Sequence, residues 1–251
     1  MKLLNFPVLI LASLIFCLGC SSSEKFDTST PEGAFKAAEA LEKEERYEEA
    51  IPKFQEVKNK HPYSRFATEA ELKIADIHYA AENFEEAQAS YQLFKEFHPK
   101  HARIDYVTFR LGMSYFMQLP DTIDRDISLA EKAVLYFDEV VRNYPNSPHA
   151  AEAREKKTAS LKKQAEKEMY IANFYFIRDQ YDSALKRFEG VLKTYPNLGF
   201  EPKALYGAAK SAFEVGEKDR GEQHSKNLRS AFPDSSEAKQ AASEFRRYGT
   251  N

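Results

Sequence analysis

Few side chains in this sequence are of kinds that do chemistry, and their spacing narrows the choice quickly. The only cysteines, Cys17 and Cys20, sit close together near the start, so the body of the chain has no disulfide framework and no cysteine-based zinc site. Cys20 stands where an apolar run, Leu3 to Gly19, gives way to Ser21-Ser22-Ser23, and it is the one residue placed to take a covalent group. The six histidines are scattered. His98-Pro99-Lys100-His101 puts two rings in one turn, but no carboxylate is near in sequence, and the pair reads as turn histidines rather than metal ligands. Glu42, Glu44, Glu45, Glu48 and Glu49 concentrate carboxylates, yet acid-base work needs apolar burial to shift a carboxyl pKa, and these read as a solvated helix face. No Gly-rich phosphate loop, G-x-S-x-G, H-E-x-x-H or calcium-loop spacing occurs. The expectation is a non-enzymatic protein without cofactor or metal.

Charge excludes a further class. Against 39 acidic residues stand 36 basic ones, a formal charge of -3, whereas nucleic-acid binding needs a concentrated basic face. Arg154, Lys156, Lys157, Lys162, Lys163 and Lys167 tint one segment basic, but Glu152, Glu155, Glu166 and Glu168 interleave with them. No nucleic-acid partner is expected. Met1-Lys2 and the apolar run after it are too short and too one-sided in their flanks to span a bilayer comfortably, and read as a secretory signal. Cys17-Leu18-Gly19-Cys20 resembles the lipobox of bacterial lipoproteins, with Cys17 where leucine is usual. That resemblance implies removal of residues 1–19 and acylation of Cys20, with Ser21 favouring the outer membrane. An ordinary signal peptide that leaves a free thiol is the alternative.

The elements that position everything else come from an internal repeat. An aromatic or His before Pro recurs at His61-Pro62, His98-Pro99, Tyr144-Pro145, Tyr195-Pro196 and Phe232-Pro233. Twelve residues before each Pro stands a small residue: Ala50, Ala87, Ala133, Ala184 and Gly221. Four positions after it come Phe54, Tyr91, Phe137, Phe188 and, exceptionally, Ser225. Ala38, Ala75, Gly112, Ala172 and Ala209 supply a matching small residue upstream. Together they describe two helices that approach closely, a ring that fills the gap, and a Pro that stops the second helix. The pattern resembles the tetratricopeptide repeat. The expected fold is all-α: a right-handed α-solenoid of five such helix pairs plus a capping helix from Glu237 to Arg247.

Two units carry insertions. In the third, Gly112 and Ala133 lie 21 apart instead of 12, which puts nine extra residues, Leu119 to Ile127, in the inter-helix turn; Ser128 to Glu131 then reads as a capping box that restarts the helix. In the fourth, Pro145 to Ala172 is 27 instead of 13, about four extra helical turns, so a helix from Pro148 to Phe176 should project beyond its neighbours. Pro52 should make the second helix start late or kink. Counting groove positions on the first helices gives Phe35, Leu72, Tyr79, Tyr106, Phe109, Met113, Phe116, Met169, Phe176, Tyr206 and Phe213. A line so aromatic on a face that should see water marks a binding site, unless the loop or the curvature of the stack covers it. Tyr79, Tyr106, Phe109, Met113 and Phe116 are the expected substrate-binding residues.

Over the whole chain after residue 19, insertions included, the sequence resembles the lipoprotein family of the outer-membrane β-barrel assembly machinery, the BamD family. His101 to Val107, Asp124-Arg125-Asp126, Val141 to Ser147 and Arg187-Phe188-Glu189-Gly190 carry the resemblance. A short C-terminus, the unusual lipobox and His98 depart from it. The family implies a lipid-anchored protein on the periplasmic face of the outer membrane. Its partners would be a BamA-like barrel assembly protein, other assembly lipoproteins and unfolded outer-membrane protein peptides. Residues 1–19 would be the signal, 20–30 a lipidated tether, 31–150 the substrate-receiving repeats, and 151–251 the BamA-docking repeats with their cap. By motif, Arg187 matches the family arginine that faces BamA; a salt bridge within its own chain is the alternative. A periplasmic lipoprotein that scaffolds cell-wall or division proteins is the other functional reading.

Overall fold

A computed structural model describes residues 26–248, and every element in them is helical. Cys20 and the signal run lie outside the described residues. In chain order the helices are α1 (Pro31–Lys43), α2 (Tyr47–Lys60), α3 (Arg65–Ala80), α4 (Phe84–Phe97), α5 (Ile104–Met117), α6 (Leu129–Asn143), α7 (Ala150–Phe176), α8 (Tyr181–Thr194), α9 (Glu201–Glu214), α10 (Lys218–Ala231) and α11 (Ser236–Glu244), with a 3-10 turn at Phe245–Tyr248. These are five tetratricopeptide-type helix pairs followed by a cap.

The chain forms two compact units. The first ends at Ala67 and the second starts at Thr68; the boundary drawn at 150/151 lies inside the second unit, after the first residue of α7. Within the first, Phe35 of α1 meets Phe54 of α2 edge-on at 5.3 Å, over Ala38 and Ala50, which are fully buried. Within the second, α5 through α10 each pack on the next, and α5, α7 and α9 also touch through the first helices of their pairs.

The small-plus-ring rule builds each pair. Phe54, Tyr91, Phe137 and Phe188 are 0–1% exposed. A methyl group added at Gly112 would lie 2.9 Å from the Phe137 ring, so glycine is what lets α5 and α6 close. The fifth pair inverts the rule: at Gly221 the ring that would collide, at 2.6 Å, is Phe213 from the first helix. Phe245 of the cap then packs on Phe213 at 5.2 Å, which replaces the ring that Ser225 lacks. The cap is therefore part of the fifth repeat's core.

Four of the five inter-helix turns share one device. Glu45, Glu82, Asp179 and Gly216 take positive φ values of 57, 59, 58 and 84°. The residue after each donates its amide back to the carbonyl of Leu41, His78, Tyr175 or Ala212, a Schellman closure that satisfies the last carbonyls of the helix.

Four expectations need correction. α2 does not start late: it begins at Tyr47 and continues through Pro52, whose missing N–H deprives only the carbonyl of Glu48, an exposed residue that water can serve. Ser128 forms no capping box; the Asp126 carboxylate accepts from the Ser128 amide at 2.9 Å and from its hydroxyl at 3.0 Å, because an ionised acceptor two residues back serves the helix start better than a hydroxyl. α7 is unbroken but begins at Ala150, after the Ser147 hydroxyl has accepted the His149 amide. Its extra turns do not stand free. Lys157 pairs with Asp138 of α6 at 2.5 Å, and Ala153 is buried in the core shared with α5.

Glu82→Gly should relieve the left-handed strain at an exposed site and stabilise the protein by about 0.5–1 kcal/mol, read as a raised thermal midpoint. A lowered midpoint would show that the Glu82 side chain outweighs its backbone.

Candidate functional site

The expected groove residues are brought together in the second unit, but not as an open apolar lining. Phe109 and Met113 are 3% and 7% exposed and belong to the core. Phe109 stacks on His149 at 5.0 Å with planes 12° apart. Phe116 is half-buried, edge-on to Phe137 at 6.3 Å, with the Lys156 ammonium 5.1 Å above its ring. The Phe109 ring lies against His149, the residue before α7, and the Phe116 ring against Lys156 of α7. The inserted turns of α7 lie across α5, and the exposed apolar groove is corrected accordingly.

The Leu119 to Ile127 loop is held by α7 as well. Lys163 Nζ donates to the Pro120 carbonyl at 2.8 Å, and Lys167 Nζ to the carbonyls of Ile123, Asp124 and Arg125 at 2.7, 3.2 and 3.2 Å. Much of the basic tint of this helix is spent inside the protein.

Tyr79 and Tyr106, by contrast, are half-buried and sit in a polar network. Asp76 of α3 accepts at Oδ1 from the Tyr91 hydroxyl at 2.6 Å and the Tyr106 hydroxyl at 2.8 Å. Arg103 reaches Asp76 Oδ2 at 4.0 Å and lies 4.5 Å over the Tyr106 ring. Arg110 donates from Nε to the Tyr106 hydroxyl at 3.2 Å, with its guanidinium carbon 4.5 Å over the Tyr79 ring. Burial, reinforced by the Asp76 charge, pushes the Tyr91 hydroxyl far above the ordinary phenol value and Tyr106 in the same direction; burial also raises Tyr79. These hydroxyls stay protonated and donate.

Arg110 and Arg103 were not foreseen as site residues. The signal existed: Arg103, Tyr106 and Arg110 fall at i, i+3 and i+7, one helix face. Arg187 pairs with Glu168 of its own chain at 2.8 Å while exposed, between inward-facing Ala184 and Phe188. The turn histidines do have carboxylates, from α3: His98 meets Glu71 at 2.7 Å and His101 meets Glu69 at 3.4 Å. Each ring takes a different acid, and both pack on Phe94. Glu44 and Glu49 of the acidic run pair with Arg46 at the surface.

The raised tyrosines give a pH dependence. The folded chain keeps these protons after the unfolded chain has released them, so the stabilisation is complete below about pH 10 and drains as the pH rises past it. Urea midpoints should fall steeply beyond about pH 10. Tyr91→Phe should be about 1 kcal/mol less stable at neutral pH but lose less on the alkaline side; equal alkaline losses would remove Tyr91 as the source.

Comparison with known proteins bears on what this site serves. A model of the family YfiO, described as outer membrane lipoprotein, matches residues 27–228. The chain is similar to the outer membrane protein assembly factor BamD of Caulobacter vibrioides, 28% identical over 187 residues that cover 74% of this chain and 61% of that one. The same factor of Vibrio cholerae is 26% identical over 215 residues, 82% of this chain and 88% of that one. The chain thus spans less than two thirds of the Caulobacter relative's length. Among solved structures, the TPR2AB-domain:pHSP90 complex of yeast Sti1 is similar at 14% identity and a TM-score of 0.44, covering 88% of this chain and 85% of that one.

Proposed function

Because the chain belongs to the YfiO family of outer membrane lipoproteins, we propose that it is a non-enzymatic factor in the assembly of outer-membrane β-barrel proteins. The family match, which runs from α1 into α10, is the observation that carries this reading. Acyl chains on Cys20 hold the protein to the periplasmic face of the outer membrane, since more than one chain makes such anchoring stable. The later repeats dock on a BamA-like barrel protein beside other assembly lipoproteins, and the earlier repeats receive unfolded barrel-protein peptides.

Two structural features support the division of labour. The Arg187–Glu168 pair joins an exposed arginine to a half-buried glutamate and contributes about 0–1 kcal/mol, so a carboxylate on the barrel protein can take over the arginine at little cost. For peptides, the surface left by the burial of Phe109 and Met113 consists of Tyr79, Tyr106 and Phe116, which offers ring faces alongside hydrogen-bonding hydroxyls and suits a chain with alternating aromatic side chains.

Arg187→Glu would face Glu168 with a like charge and should cut co-purification of the barrel assembly protein about tenfold, with the melting temperature within a few degrees of wild type. Unchanged co-purification would return Arg187 to a surface ion pair. A photo-cross-linker at position 116 in intact cells should capture unfolded barrel proteins, and Cys20→Ala should abolish fatty-acid labelling. Capture of a wall synthase instead would overturn the assembly reading.

A further inference from the structure

The 3-10 turn that follows α11 lies over two of the counted groove positions, Tyr206 and Phe213 of α9. Phe245 stacks on Tyr206 at 5.5 Å with planes 19° apart, and Tyr248 stacks on Phe213 at 4.5 Å with planes 8° apart. The two rings are held very differently. Phe245 is 1% exposed, and the residue before it, Glu244, accepts from the Tyr206 hydroxyl and pairs with Lys210 at 2.8 Å. The cap is therefore fixed to α9 as far as Phe245.

Past Phe245 the hold on α9 narrows to two consecutive residues, Phe213 and Glu214. Tyr248 covers the Phe213 ring and donates its hydroxyl to Glu214 Oε1 at 2.6 Å. Arg247 donates to the same oxygen at 2.7 Å, stands 3.8 Å from Glu244 and lies 4.6 Å over the Tyr248 ring. Arg246 and Arg247 are exposed and Tyr248 is half-buried. A single turn held by one ring stack and one solvated ion pair opens at far lower cost than the helices beneath it. Lifting it uncovers a ring face beside a carboxylate and leaves Phe245 in the core.

We propose that Arg247 and Tyr248 form a strap that holds a docking place on α9 shut, and that the occupant which replaces them is a partner segment carrying a basic residue beside an aromatic ring. The strap displays the required chemistry in its own side chains: the ring goes to Phe213 and the guanidinium to Glu214. It lies beyond residues 27–228, the stretch that matches the family. Closure is competitive. Because a short link ties the strap to α11, it stands at an effective concentration on the order of millimolar, and an incoming segment has to outbid that to open the place.

Fluorescence anisotropy on the full chain tests this with a labelled, amidated peptide of residues 246–250, Arg-Arg-Tyr-Gly-Thr. The double variant Arg247→Ala/Tyr248→Ala, which retains Phe245, should bind this probe about tenfold tighter than wild type, with a melting temperature within a few degrees of it. A probe with Ala in place of its Tyr should lose the gain, and Glu214→Gln added to the double variant should remove it. Wild-type protein supplies a readout that needs no variant: the amides of residues 246–248 should exchange with solvent faster than those of α9, and millimolar unlabelled probe should speed them further. Equal binding of the probe by wild type and double variant would overturn the strap. So would exchange at residues 246–248 that is as slow as in α9 and unmoved by the probe, which would make the turn a fixed part of the cap.

Discussion

Everything in this molecule depends on how closely two helices can approach before a ring must fill what remains. Ala38 with Ala50, Ala75 with Ala87, and Ala172 with Ala184 remove the side-chain bulk that would otherwise hold the helices of a pair apart. Phe54, Tyr91 and Phe188 then occupy the space one turn further on. Neither half works alone: a larger small residue collides with the ring, as the Gly112 and Gly221 geometries demonstrate, and a smaller ring leaves a void. The left-handed turn residues follow from the same constraint, since helices this close need a reversal of three or four residues with its carbonyls satisfied.

Much of the fold was legible because this rule writes itself into spacing. The Pro anchors and small residues located the five pairs, and the nine-residue and fourteen-residue excesses located both insertions. What spacing cannot carry is the identity of the neighbour across space. It put Phe109 and Met113 on the correct face of α5 but had no means of showing that His149 and the first turns of α7 would lie on that face. The same limit hid the Asp126 cap: Ser128 and Glu131 matched a known motif, and the competing carboxylate was decided by three-dimensional reach.

The candidate site was legible only in its aromatic half. Tyr79 and Tyr106 were found by counting groove positions, whereas Arg110, one residue after Phe109, falls on none of the counted positions. Asp76 explains why a polar network survives there: as acceptor for two half-buried or buried phenols it satisfies groups that would each be costly to leave unpaired.

The two insertions, although 20 or more residues apart in sequence, form a single mechanical part. The carbonyls of the third repeat's loop are met by Lys163 and Lys167 of the fourth repeat's long helix, so each insertion supplies what the other needs. Shortening the loop alone would strand two ammonium groups, and trimming the helix alone would strand four carbonyls. Repeat proteins are often treated as beads that can be exchanged one at a time. Here the third and fourth beads are soldered, and any chimera, circular rearrangement or lineage that gains or loses one insertion has to handle the other as part of the same cassette.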